Sequence, residues 1–114
     1  MATLRCGETE LPLTFTNHFL AHLQAAVHRH FKKAQGFFLT GTYTNSDGTE
    51  VTVSHWLHRT TPLAFEYDVR GDDGDRIPPV ELNDREVDDI LDAMARPLGV
   101  HDTSDVWVTF REKL

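Results

Sequence analysis

Apolar residues after position 19 recur every three or four places. Leu20, Leu23, Val27, Phe31 and Ala34 make one stripe at about 100° per residue, which predicts an amphipathic helix over residues 19–34. Thr16 or Asn17 supplies its N-cap and Gly36 its end, while Arg29, Lys32 and Lys33 suit the negative end of the helix dipole. His18, His22, Arg29 and Lys33 fall on the opposite side, so these histidines are expected to face outward. From residue 37 the pattern changes to alternation. Residues 37–44 and 50–58 are rich in aromatic and β-branched side chains and flank Asn45-Ser46-Asp47-Gly48, a hairpin turn signal. In the second run Val51, Val53 and Leu57 share one face, and Thr52, Ser54, Trp56 and His58 the other. A third strand over residues 63–69 offers Leu63, Phe65, Tyr67 and Val69 to the core, as part of a one-sided antiparallel sheet.

Residues 70–79 carry two glycines and two prolines, and are expected to form an irregular acidic surface loop. Asn83 caps a second helix running to about residue 95, with Val87, Ile90, Leu91 and Met94 on one stripe. A strand at 106–110 and an opening hairpin at 3–6 and 10–14 complete the order ββαβββαβ. The predicted class is α+β, a mainly antiparallel sheet with two helices, in a single compact domain over residues 1–114. Phe38, Trp56, His58 and Trp107 are expected to project from the sheet face away from the helical stripes. This leaves an aromatic strip of the kind that usually marks a partner surface, most simply that of a homodimer.

Composition narrows the chemistry. Cys6 is the sole cysteine, which excludes intrachain disulfides and Cys-x-x-Cys centres. With no basic leader or long apolar run, the expectation is a cytoplasmic protein without a membrane segment. The net charge of −7 disfavours nucleic acid as a partner. That charge is concentrated in residues 66–92, where eleven carboxylates face three arginines, so the basic helix end at Arg29, Lys32 and Lys33 is expected to make a charge contact with this segment.

Seven histidines raise the question of a metal. His18 and His22 have the spacing of zinc-binding helices, but Phe19 stands where a metalloprotease has its Glu, and His55 and His58 point to opposite faces of a strand. The loop carrying Asp72, Asp73 and Asp75 lacks the register of a calcium-binding loop. On motifs alone neither a metal nor a cofactor is expected, no catalytic residues emerge, and enzymatic activity is the less favoured expectation.

The blocks Leu20-Ala21-His22-Leu23-Gln24, Phe37-Phe38, Trp56-Leu57-His58 and Pro62-Leu63-Ala64-Phe65 resemble a group of small actinobacterial proteins of unknown function that are often labelled ATP-dependent DNA ligases. The resemblance runs from Leu4 through the helix after Asn83, and implies compact domains whose signature positions are His22, Gln24, Trp56 and His58. A ligase nucleophile is missing: the Lys of Lys-x-Asp-Gly is replaced by Asn45 before Asp47-Gly48 and by Gly71 before Asp73-Gly74. The leading expectation is a non-catalytic interaction domain that self-associates through its aromatic sheet face. The alternative is a small-ligand or nucleotide-binding protein with a pocket near His22, Gln24 and His58.

Overall fold

The structure, a computed structural model, describes residues 2–33, 35–96 and 99–101. Its elements are β1 (Thr3–Cys6), β2 (Thr9–Glu10), α1 (Asn17–His30) with a 3-10 turn at Phe31–Lys33, β3 (Phe37–Thr44), β4 (Glu50–Leu57), β5 (Leu63–Glu66), α2 (Asp84–Met94) and β6 (Val100–His101). The fold is α+β, in the order ββαβββαβ. The strand expected at 106–110, with Trp107, lies outside the described residues.

Both helices start where their caps predict. Thr16 Oγ1 accepts the Phe19 amide at 3.1 Å, and Asn83 Oδ1 accepts that of Glu86 at 3.1 Å, each satisfying a donor the helix leaves open. The β3–β4 hairpin closes through Asn45 N to Thr49 O at 2.8 Å, with Asp47 Oδ1 accepting the Thr49 amide at 3.0 Å. Along β3, Phe37, Leu39 and Gly41 are buried as the alternation predicts and Phe38 and Thr42 are half-buried, but Thr40, on the second face, is buried as well.

Among the described residues the strands form two sheets rather than the expected one. One has the order β2-β1-β5 and the other β4-β3-β6, with β6 parallel to β3. After β4 the chain turns, with Thr61 N donating to His58 O at 3.0 Å, and Gly7 N then binds Pro62 O at 2.7 Å. That bond sets β5 beside β1, pairing Leu4 with Phe65 and Cys6 with Leu63. Residues 67–69 also depart from expectation. Asn17 holds the Asp68 backbone from both sides, at 2.8 and 3.0 Å, ending β5 at Glu66, so Tyr67 and Val69 are exposed rather than core. In the opening hairpin Pro12 has no N–H to give the ladder, which shortens β2 to Thr9–Glu10. Leu11, Leu13 and Phe15 nonetheless stay buried behind β1. The 70–79 loop contains a small hairpin bridged at Arg70 and Arg76, with Gly71 N bound to Asp75 O at 2.8 Å.

The core joins Leu20, Leu23, Ala26 and Val27 of α1 to Leu39 and Phe37 of β3, Leu57 of β4, and Val87 and Met94 of α2. Gly99, at φ +68°, fits where a Cβ would stand 2.0 Å from Phe38 O, so a residue without a side chain is needed to lead into β6. Among the described residues no helix is long and apolar enough to cross a membrane.

Candidate functional site

Two places stand apart from ordinary packing: the outer edge of β4, and the junction of α1 with α2. Among the described residues β4 pairs with β3 alone, leaving its other edge open. The run Val51–Leu57 contains no Pro, Gly, Lys or carboxylate, the usual devices that blunt an exposed edge. On its outer face, hydroxyls link it to β3, Thr42 to Thr52 at 2.9 Å and Thr40 to Ser54 at 2.7 Å. Trp56 follows, 54% exposed, its ring 5.0 Å from that of Phe38. Behind it lies Gly36, where a Cβ would come within 2.6 Å of Trp56 Cζ2, so the indole rests on bare backbone and is held in place.

On the inner face of the same strand, His55 Nε2 is buried and has no hydrogen-bond partner among the described residues. Burial holds the pKa of this ring below the usual histidine range. The unfolded chain therefore takes up the proton first as pH falls, and stability contributed by neutral His55 is present above the ordinary value of 6.5 and lost below it. Comparing urea midpoints of parent and His55→Phe between about pH 7.5 and 5.5 should show a shallower acid-side loss in the variant. Equal slopes would contradict the assignment.

At the helix junction, His22 is buried, contrary to the outward position expected from the stripe on α1. The reason is that α2 packs across that side, so α1 is covered on two sides. The Asn83 amide donates to His22 Nε2 at 2.9 Å, so Nε2 carries the lone pair and Nδ1 the proton, which goes to His18 O at 2.7 Å. Glu86, from the first turn of α2, brings Oε2 to 2.5 Å from His18 Nε2 and 3.1 Å from His22 Nε2. These groups sit at a cleft of about 560 Å³ whose walls include Phe19, Ile90, Ala93, Arg96 and Val100. The His18/His22 pair is visible in the sequence. Glu86 is not, because only the packing of α2 on α1 brings it there.

The other predicted site residues lie apart. Gln24 accepts the Tyr67 hydroxyl and lines a different cleft, with Lys32, Arg59 and Leu63. Both ring nitrogens of His58 are engaged by the turn that follows β4, Nδ1 with Thr60 and Nε2 with Thr61 at 2.9 Å. His22 and Gln24 thus do not share a pocket, and His58 is bound within its own turn. Arg29 reaches Asp88 at 3.4 Å and Asp84 at 3.8 Å, across the helix junction, while Lys32 is exposed. Lys33 closes the 3-10 turn. Burial raises the pKa of the Cys6 thiol, the direction opposite to an activated nucleophile.

A family model described as a domain of unknown function, DUF7882, matches residues 1–105. The chain belongs to the DUF7882 family. The match takes in every described element of this DUF7882 domain, so the β4 edge and the histidine junction both fall inside the family's extent. No curated protein and no solved structure matches the chain.

Proposed function

We propose that this DUF7882 chain is a single-domain, non-catalytic cytoplasmic module that self-associates by pairing β4 of one copy with β4 of a second. The observation that carries this reading is that the eight-residue β4, unpaired on one edge among the described residues, has no edge-blunting residue between Val51 and Leu57 and carries a half-exposed Trp56 near its end, seated on Gly36. Closed pairs of identical chains are two-fold, so the strands run antiparallel and each residue faces one of the same side-chain parity. Centring the axis on Ser54 sets Ser54 against Ser54, Thr52 against Trp56, Val53 against His55 and Glu50 against His58, with Arg59 adjacent. The two Ser54 hydroxyls then meet at the axis, each indole gains the other copy's Thr52 as a neighbour, and the Glu50 carboxylate lies near the other copy's Arg59.

Light scattering over a dilution series should give twice the 13.0 kDa chain mass at high concentration. Ser54→Lys places two ammonium groups face to face at an exposed position, and should weaken association by roughly tenfold or more with unchanged helix content. Ser54→Cys should form an intermolecular disulfide on mild oxidation. A monomer at every concentration would overturn self-association; a dimer indifferent to both variants would overturn the β4 assignment.

A second reading, a small-ligand site, is favoured by one observation: His22 opens on the cleft of about 560 Å³ between the helices.

A further inference from the structure

We infer that His18, His22 and Glu86 form a binding site for a divalent cation of the zinc class, with its open coordination position facing the cleft between α1 and α2. This deepens the small-ligand reading and is independent of self-association. Each residue offers one ligand atom, and the three atoms lie within 4.8 Å of one another. Around a tetrahedral ion with bonds of about 2.0–2.1 Å, ligand atoms sit about 3.3 Å apart. The 3.1 Å between His22 Nε2 and Glu86 Oε2 already approaches that spacing. The 2.5 Å between His18 Nε2 and Glu86 Oε2 must open by less than an ångström, roughly a small rotation of two exposed side chains.

Two features of His22 distinguish this cluster from a chance meeting of polar groups. Its Nδ1–H is fixed on His18 O at 2.7 Å, the outer-shell bond that orients a metal-binding imidazole and leaves Nε2 as the ligand. Its Nε2, with a lone pair, stands 3.1 Å from a carboxylate oxygen, so two acceptors face each other with no proton of His22 to share. A cation between them turns that repulsion into two bonds. Two imidazoles and one carboxylate select a borderline ion such as Zn²⁺ or Co²⁺ over Mg²⁺ or Ca²⁺, which take all-oxygen sites. The imidazole has a single lone pair, so the ion must displace the Asn83 amide from Nε2. Binding is therefore registered at the first turn of α2. The fourth position opens toward Phe19, Ile90, Ala93 and Val100, an apolar wall suited to a water or a small ligand bound to the metal.

The test uses the full chain stripped with a chelator and titrated with Zn²⁺ in a calorimeter, and with Co²⁺ followed by its visible absorption. The expected result is one ion per chain, a Co²⁺ spectrum of low coordination number, no competition from excess Mg²⁺, and a shifted Asn83 amide signal by NMR. His18→Ala and Glu86→Gln, both at exposed positions, should each weaken binding by roughly tenfold or more while the apo variants keep the parent's urea unfolding midpoint. No stoichiometric binding would overturn the site. So would binding that both variants leave unchanged, which places the ion elsewhere.

Discussion

Gly36→Ala should lower stability by about 2–3 kcal/mol and turn Trp56 away from its seat. An alanine Cβ at this position would lie 2.6 Å from Leu57 O, 2.6 Å from Trp56 Cζ2 and 2.9 Å from Trp56 Cε2. The indole can swing aside; the carbonyl cannot, because Leu57 is paired with Phe37 at the start of the hairpin. Relief therefore means separating the ends of β3 and β4, where Phe37 and Leu57 are both core. The Gly36 carbonyl also pairs with His30 Nε2 at 3.1 Å, a bond the shift would strain. Urea unfolding reads the first effect. Fluorescence reads the second, in a Trp107→Phe background so that Trp56 is the sole emitter: its emission should move to the red. A variant with parental stability and parental emission would show that the indole does not rest on Gly36. Loss, in the same variant at full helix content, of the self-association proposed for the parent would tie the seat of Trp56 to that association.

Local chemistry explains what could be read from the residues alone. Thr16 and Asn83 are caps whose partners lie three residues ahead, and Asn45-Ser46-Asp47-Gly48 makes its turn from its own side chains and a glycine at φ +87°, so these features needed no knowledge of the rest of the chain. The order of elements followed. Choice of neighbour did not. Leu63 and Phe65 form an equally good apolar row against β4 or β1, and what decides is the turn at His58–Thr61 together with one bond from Gly7 to Pro62, which periodicity does not encode. The face of α1 failed for a related reason. A 3.6-residue stripe locates one buried side, whereas α1 is covered by a sheet on one side and by α2 on another, so His22 at 1% exposure lay outside the stripe yet inside the protein. Glu86, sixty-eight residues from His18, entered the candidate site through that same packing.

His22→Ala should then cost about 2–4 kcal/mol even with metal removed, a large part of the total of about 5–15 kcal/mol usual for a domain of this size. The ring is one of the largest fully buried side chains, and truncation leaves a cavity where α1 meets α2. It also removes the acceptor for the Asn83 amide, one of the donors at the start of α2 that the helix itself does not satisfy. Two variants separate these contributions. His22→Phe keeps the volume and loses the hydrogen bonds, so it should recover roughly half of the loss; His22→Ala loses both. Amide exchange supplies an independent reading, because the Asn83 N–H should exchange faster in both variants, while amides in the middle of β3 speed up only as far as global stability falls. If His22→Ala stayed within about 0.5 kcal/mol of the parent, the helix junction would rest on its apolar contacts, chiefly Val87 and Met94, and on the Arg29 ion pairs, and the imidazole would be dispensable to the fold. A large loss would mean that one buried histidine both joins the two helices and presents the nitrogen on which the cation site depends. The apo protein would then hold that nitrogen in place through the very bond to Asn83 that metal binding must break.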